Sequence, residues 1–230
     1  MKKSTHTTIV FIVLIALVSK SNGDARAEII KTQCTKTVGD EDLYTKNYIH
    51  ALGTGRNKNY VMAECYGDLS SLDCVLCYAQ MRTSFPGCYP GSGGRIYLDG
   101  CFLRLQNYSF FEEYTSPNDT TICGNTTRNS LLFQESTSRA VVNAVSSALR
   151  NNDYFAMEEM LGSGPNDLSV YVFAECWKTL SPNSCKACLE NASTSITKCL
   201  PWSVGRVLNT VFHEVFRYQF SQWCASHKEL

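Results

Sequence analysis

Two pairs of cysteines, Cys74 with Cys77 and Cys185 with Cys188, stand in a C-x2-C spacing that admits three chemistries. Such a pair can ligate zinc, can cycle as a redox-active dithiol, or can give each sulfur to a structural bridge elsewhere. Zinc needs further ligands at suitable spacing, and the histidines do not supply them: His6 lies in the N-terminal leader, and His50, His213 and His227 stand apart. The adjacent carboxylates Glu112-Glu113 and Glu158-Glu159 read as solvated surface rather than as an acid/base couple. There is no G-x-S-x-G, no H-E-x-x-H, no phosphate-binding glycine loop and no kinase signature, so the residues point away from an enzyme and call for no cofactor and no metal.

The compartment decides what those cysteines do. The chain opens with Met1-Lys2-Lys3, continues through an apolar run from Ile9 to Val18 and reaches Ala25-Arg26-Ala27, the pattern of a secretory signal peptide over residues 1–27 with cleavage near Ala27. That run spans only about 15 Å as a helix, roughly half of a bilayer core, and no later stretch is long and apolar enough to cross a membrane. Acceptor sequons at Asn107, Asn118, Asn125 and Asn191 agree with secretion. All 12 cysteines follow the leader, an even count that permits complete pairing in an oxidising compartment. Lys+Arg and Asp+Glu both number 21, so no general attraction to nucleic acid is indicated.

The elements that must position these residues occur twice. A shift of 111 residues superimposes Ala63-Glu64-Cys65 on Ala174-Glu175-Cys176, Cys74 on Cys185, Cys77 on Cys188, Cys88 on Cys199, Pro90 on Pro201 and Gly94-Arg95 on Gly205-Arg206. Two tandem domains follow: residues 28–114, a linker over 115–130 that carries Cys123, and residues 131–230. Leu131, Leu132, Ala140, Val141, Ala144, Val145, Ala148 and Leu149 recur at helical spacing, and the first-domain counterpart of this helix is placed near Asp40 to Leu52. Tyr60–Glu64 and Ser169–Ala174 are rich in strand formers. A short helix should follow each, with Ser71 and Ser181 as N-caps and the cysteines three apart on one face. Residues 95–99 and 101–105 alternate as strands through a tight turn, which predicts α+β domains with helices on one face of an antiparallel sheet.

The combination C-x8-C-x2-C, a fourth cysteine, Gly-Arg and then Cys101-Phe102-Leu103-Arg104 resembles the ginkbilobin-homologous, or stress-antifungal, domain. That family includes antifungal lectins, two-domain cysteine-rich repeat secretory proteins and the ectodomains of cysteine-rich receptor-like kinases of plants. The resemblance implies, for each domain, a five-stranded antiparallel sheet packed with two helices and held by disulfides. It also implies the pairings Cys34–Cys88, Cys65–Cys74, Cys77–Cys101, Cys123–Cys199 and Cys176–Cys185. Spacing alone leaves fifteen pairings open for six cysteines.

The second domain departs from the family pattern after residue 210. Phe212 stands where the repeat offset requires the counterpart of Cys101, so Cys188 loses its expected partner. Cys224 can take that role, or can join two chains in a dimer. One codon set for Phe212 to Phe220, read one base later, gives a family-like F-M-R-Y. The reading is therefore a change of frame or splicing near Thr210 that removes the native terminal strand and leaves an exposed sheet edge, against ordinary divergence of the tail.

By resemblance, mannose-binding lectins of the family use three positions that fall here on Thr35, Arg95 and Gln106, of which only the arginine is retained; Arg206 is the second-domain counterpart. An arginine in this segment can equally pair with a carboxylate in the sheet. Tyr89, Tyr97, Tyr108, Phe110, Phe111 and Trp202 could stack on sugar rings or anchor a protein, with burial the default. The expected function is that of a secreted, non-enzymatic binding protein of the plant apoplast, engaging a protein partner such as a receptor-like kinase ectodomain in stress or defence signalling. The alternatives are a lectin for mannosyl glycans and a truncated receptor-like kinase ectodomain.

Overall fold

The computed structural model describes residues 26–35, 59–88, 91–160 and 169–209, together with the backbone of residues 213–218. The leader through residue 25, the helix expected near Asp40 to Leu52, His50, Tyr89, Cys224 and His227 lie outside the described residues.

Strands β1 (Ile29–Cys34), β2 (Tyr60–Cys65), β3 (Gly94–Leu98) and β4 (Cys101–Gln106) form an antiparallel sheet in the order β1-β3-β4-β2, with helix α1 (Ser71–Ser84) between β2 and β3. The second sheet is built from β5 (Thr120–Cys123), β6 (Phe155–Met160), β7 (Val170–Glu175), β8 (Val204–Leu208) and β9 (His213–Tyr218) in the order β5-β8-β9-β7-β6. Helices α2 (Leu131–Ala148) and α3 (Pro182–Ile196) belong to this second half. The architecture is thus α+β with antiparallel sheets, and the first sheet shows four strands among the described residues where five were expected.

Local sequence accounts for the elements. On α2, Phe133, Thr137, Ala140, Val141, Ala144, Val145 and Ala148 are buried at intervals of three and four, as a helix with one apolar face requires. Helix α3 starts at Ser181, whose Oγ accepts the Ser184 amide at 3.1 Å. Helix α1 is capped by Ser70 rather than by Ser71: the Ser70 Oγ accepts the Asp73 amide at 3.2 Å, and Ser71 begins the helix.

The expected loss of the second domain's terminal strand is corrected by β9. Phe173 pairs with Val215, and Arg206 pairs with Val215 from the other side. In the first sheet Met62 pairs with Arg104, and Arg95 pairs with Arg104. These are the same partners at the 111-residue offset, so β9 fills the place of β4 in register, and no sheet edge is exposed between β7 and β8. Backbone hydrogen bonding in a ladder is indifferent to side-chain identity, which lets a divergent sequence occupy the slot.

Two apolar clusters result. One, under α1, gathers Val61, Cys77, Met81, Phe85, Ile96, Leu98, Cys101 and Leu105. The other joins α2, α3 and the second sheet, and it also takes in Tyr97 and Phe102 from the first sheet. The first repeat thus keeps a core of its own under α1, while the second cluster reaches across the seam to Tyr97 and Phe102. No helix among the described residues is long and apolar enough to cross a membrane.

Candidate functional site

Among the described residues five disulfides hold the scaffold: Cys34–Cys88, Cys65–Cys74, Cys77–Cys101, Cys123–Cys199 and Cys176–Cys185. In the C-x2-C pair of the first helix the two sulfurs go to different strands, Cys74 to β2 and Cys77 to β4. Cys185 bonds to the end of β7, and Cys188 is fully buried on the inner face of α3. The acceptor asparagines Asn107, Asn118, Asn125 and Asn191 are all exposed.

The positions suggested for a sugar are largely taken up within the chain. The Thr35 Oγ1 donates to the Gly93 carbonyl at 3.1 Å and lies 3.1 Å from the Ser92 Oγ. Gly93 has φ +156°, and a Cβ there would come within 2.3 Å of the Leu105 carbonyl oxygen, so the turn requires glycine. Gln106, on β4 next to this turn, is buried. Arg95 is 3% exposed, and its Nη1 donates to the Asp119 Oδ1 at 3.2 Å. Asp119 also accepts the Ser116 amide at 2.7 Å, which closes the linker turn over the sheet.

Sequence reasoning missed a second buried arginine. Arg104 lies directly across from Arg95 and is fully buried; its Nη2 donates to the Glu113 Oε2 at 2.6 Å and to the Tyr108 hydroxyl at 3.1 Å. Its guanidinium carbon sits 4.1 Å from the centroid of the Phe110 ring, a cation–π contact. Two neighbouring guanidiniums are thus each neutralised by a carboxylate of the segment that follows β4. Glu113 is corrected from solvated surface to ion-pair partner. Glu158 and Glu159 form no couple either, since Glu158 accepts from the Ser147 hydroxyl and Glu159 from the Tyr171 hydroxyl. Of the aromatics, Tyr97 and Phe110 are buried, Phe111 and Trp202 are half-buried and Tyr108 is exposed. Burial pushes the Tyr97 phenol up to about 12.

Arg206 is drawn into the seam between the repeats. Its Nη1 pairs with the Asp99 Oδ1 of the β3–β4 turn at 2.5 Å. Beside it the Tyr97 hydroxyl donates to the Asn209 carbonyl at 2.9 Å, and Phe102 meets Trp177 edge to face with ring centroids 4.7 Å apart. Glu175, at the end of β7, accepts the Gly67 amide of the first repeat at 3.1 Å. Burial raises its carboxyl to about 8, with the nearby Glu64 charge adding to the effect and the Gly67 amide opposing it. Burial likewise raises Glu64 to about 7, against the pull of Lys178. The repeat alignment had already placed these two glutamates at the same position; that they converge is a tertiary fact.

Comparison with known proteins bears on this arrangement. The family model described as salt stress response/antifungal matches residues 16–108 and again residues 122–221. Cysteine-rich receptor-like protein kinase 2 of Arabidopsis thaliana is 44% identical over 216 residues, which cover 86% of this chain and 33% of the kinase. The antimicrobial ginkbilobin-2-like protein of Castanea crenata is 24% identical, over 66% of this chain and 63% of that protein. The chain spans about a third of the length of the first receptor-like kinases that it matches. In fold it is similar to the crystal structure of the tandem DUF26 ectodomain of the cysteine-rich receptor-like protein PDLP8 from Arabidopsis thaliana, with a TM-score of 0.67 at 17% identity over 84% of this chain and all of that one. With two sheets of one repeated topology, each laced by disulfides, and two matches to one model, the chain belongs to the salt stress response/antifungal family.

Proposed function

We propose that this is a secreted, non-enzymatic binding protein of the plant apoplast that engages a protein partner, a receptor-like kinase ectodomain of the same family being the first to test. The observation that carries this reading is the fate of Arg95: a guanidinium 3% exposed and paired with Asp119 has no free donors at the surface to offer a sugar. Buried Gln106 and the internally bonded Thr35 weaken the glycan reading in the same way. An exposed apolar stripe supports protein recognition. Leu72, Val75, Leu76 and Ala79 recur at helical spacing on the outer face of α1 and are exposed. Their repeat counterparts on α3 are Asn183, Lys186, Ala187 and Glu190, three of them polar, with Lys186 and Glu190 paired at 3.9 Å. The stripe is thus particular to the first repeat and is not demanded by the fold. The 44% identity to a receptor-like kinase over a third of its length supports a role of the kind an ectodomain performs.

Calorimetric titration of the secreted, glycosylated chain with mannose-containing oligosaccharides, beside an Arg95→Ala variant, tests the alternative. The expected result is no saturable heat at millimolar sugar. Heat that saturates in the wild type and vanishes in the variant would put the lectin reading first. Binding to immobilised kinase ectodomains should weaken at least tenfold in Leu76→Asp if the stripe carries the contact.

A further inference from the structure

The charges in the seam between the two repeats do not balance. Two of its carboxylates have dedicated cations: Asp68 pairs with Arg26 at 2.6 Å and Asp99 with Arg206. Glu64 and Glu175 remain: the Glu64 charge acts on Glu175, and Lys178 is the cation that draws on both. Lys178 is exposed, so its charge is screened by water and salt. Among the described side chains the other groups beside the pair add no positive charge. Tyr66 and Tyr78 beside it are held neutral, their phenols pushed up by burial and by the neighbouring glutamates, and Tyr97 is neutral as well. Across the strands Glu64 stands opposite Phe102 and Glu175 opposite Phe155. The seam is also tight: a Cβ at Gly67 would come within 2.7 Å of the Phe155 ring. Strand β9 carries four further ionisable residues: His213 at the register position of Leu208, Glu214 at that of Val207, Arg217 at that of Tyr171 and Tyr218 at that of Val170. Glu175 is buried and Glu64 half-buried beside it, and one screened ammonium cannot offset both carboxylates there, so one of them must keep a proton or gain water.

We propose that the seam is a proton-operated clamp: one proton held on the Glu64 and Glu175 pair locks the two repeats together, and its loss to solvent loosens the seam while each repeat stays folded. The disulfides fit this division, because none of the five joins one repeat to the other. Removal of the leader through Ala27 would also take away Arg26, leaving Asp68 as a further negative charge beside the pair and strengthening the dependence.

The sign is fixed by the direction of the shifts. Both carboxyls titrate higher in the folded chain than their ordinary value of 4.5, so the fold holds protons that the unfolded chain has released, and stability is lost as pH rises toward 8. The experiment follows the secreted chain from pH 5 to pH 8.5 by thermal unfolding and by hydrogen exchange, with amide exchange corrected for its intrinsic pH dependence. The wild-type midpoint should fall by about 4–10 °C over this range. Glu64→Gln and Glu175→Gln, which keep size and remove the charge, should each reduce that fall by half or more. The Gly67 amide should lose protection with pH ahead of amides in α2. A midpoint level across the range, or glutamine variants that fall as steeply as the wild type, would overturn the clamp. So would His213→Ala removing the pH dependence while the glutamates are intact. If neither glutamine variant folds, the wild-type exchange pattern decides: seam amides opening before α2 support the clamp, and parallel loss sinks it.

Discussion

Arg95 illustrates how a residue chosen for one chemistry is claimed by another. A surface guanidinium would present donors to sugar hydroxyls, but this one is buried and its charge is met by Asp119 of the linker. Removing one partner of such a pair leaves the other carboxylate partly buried and unmatched. Arg95→Ala is expected to cost about 2–4 kcal/mol in urea unfolding and to release the Ser116–Asp119 turn, seen as faster exchange of the Ser116 amide. If the arginine were a surface ligand for glycans, the same change would leave stability within about 0.5 kcal/mol of wild type. The sequence marked Arg95 through its repeated Gly-Arg setting. Asp119 and Glu113 carried no such mark, because a carboxylate in a loop becomes a partner only when the chain folds back, and spacing does not encode that return.

At the level of elements, local chemistry was readable where it is short-ranged. The apolar spacing from Leu131 gives α2, and Ser181 caps α3, since both depend on residues within a turn or two. The first helix was misplaced by one residue, because adjacent serines at 70 and 71 are equivalent by composition and only the hydrogen bond to Asp73 separates them. Strand β6 carried no recognised signal; it is a short edge strand ending in Glu158-Glu159-Met160. Strand β9 was misread because a missing cysteine was taken for a missing strand. The two bridges of the second repeat differ in what they restrain. Cys176–Cys185 closes a separation of 9 residues and Cys123–Cys199 one of 76. Loop-closure entropy predicts about 2.6 kcal/mol for the short loop and about 4.5 for the long one. The double serine variant of Cys123 and Cys199 should therefore unfold at lower denaturant than that of Cys176 and Cys185; the reverse order would mean that native-state strain outweighs chain entropy.

For the whole molecule, tandem duplication was legible and the contact between the copies was not. Offsets of cysteine and glycine survive in the sequence, whereas the seam is assembled from Tyr97, Phe102, Trp177 and Arg206, residues with no common motif. With one shared proton, stability should change by at most about 1.4 kcal/mol per pH unit, falling toward alkaline pH. A steeper slope in chemical denaturation would mean that more than one group is coupled to folding.

The location of the covalent cross-links has a further consequence for how the molecule fails under proteolysis. All five described bridges close within one repeat, so between Gln106 and Thr120 a single run of backbone is the only covalent tie across the described halves. That run includes exposed Tyr114, Thr115 and Pro117, a place where a protease can nick. One cut there should give two bands on a gel run without reductant, while the native particle stays together at low pH. Exposed Asn118 directly follows Pro117 in that run, and a glycan on it would shield this tie between the described halves.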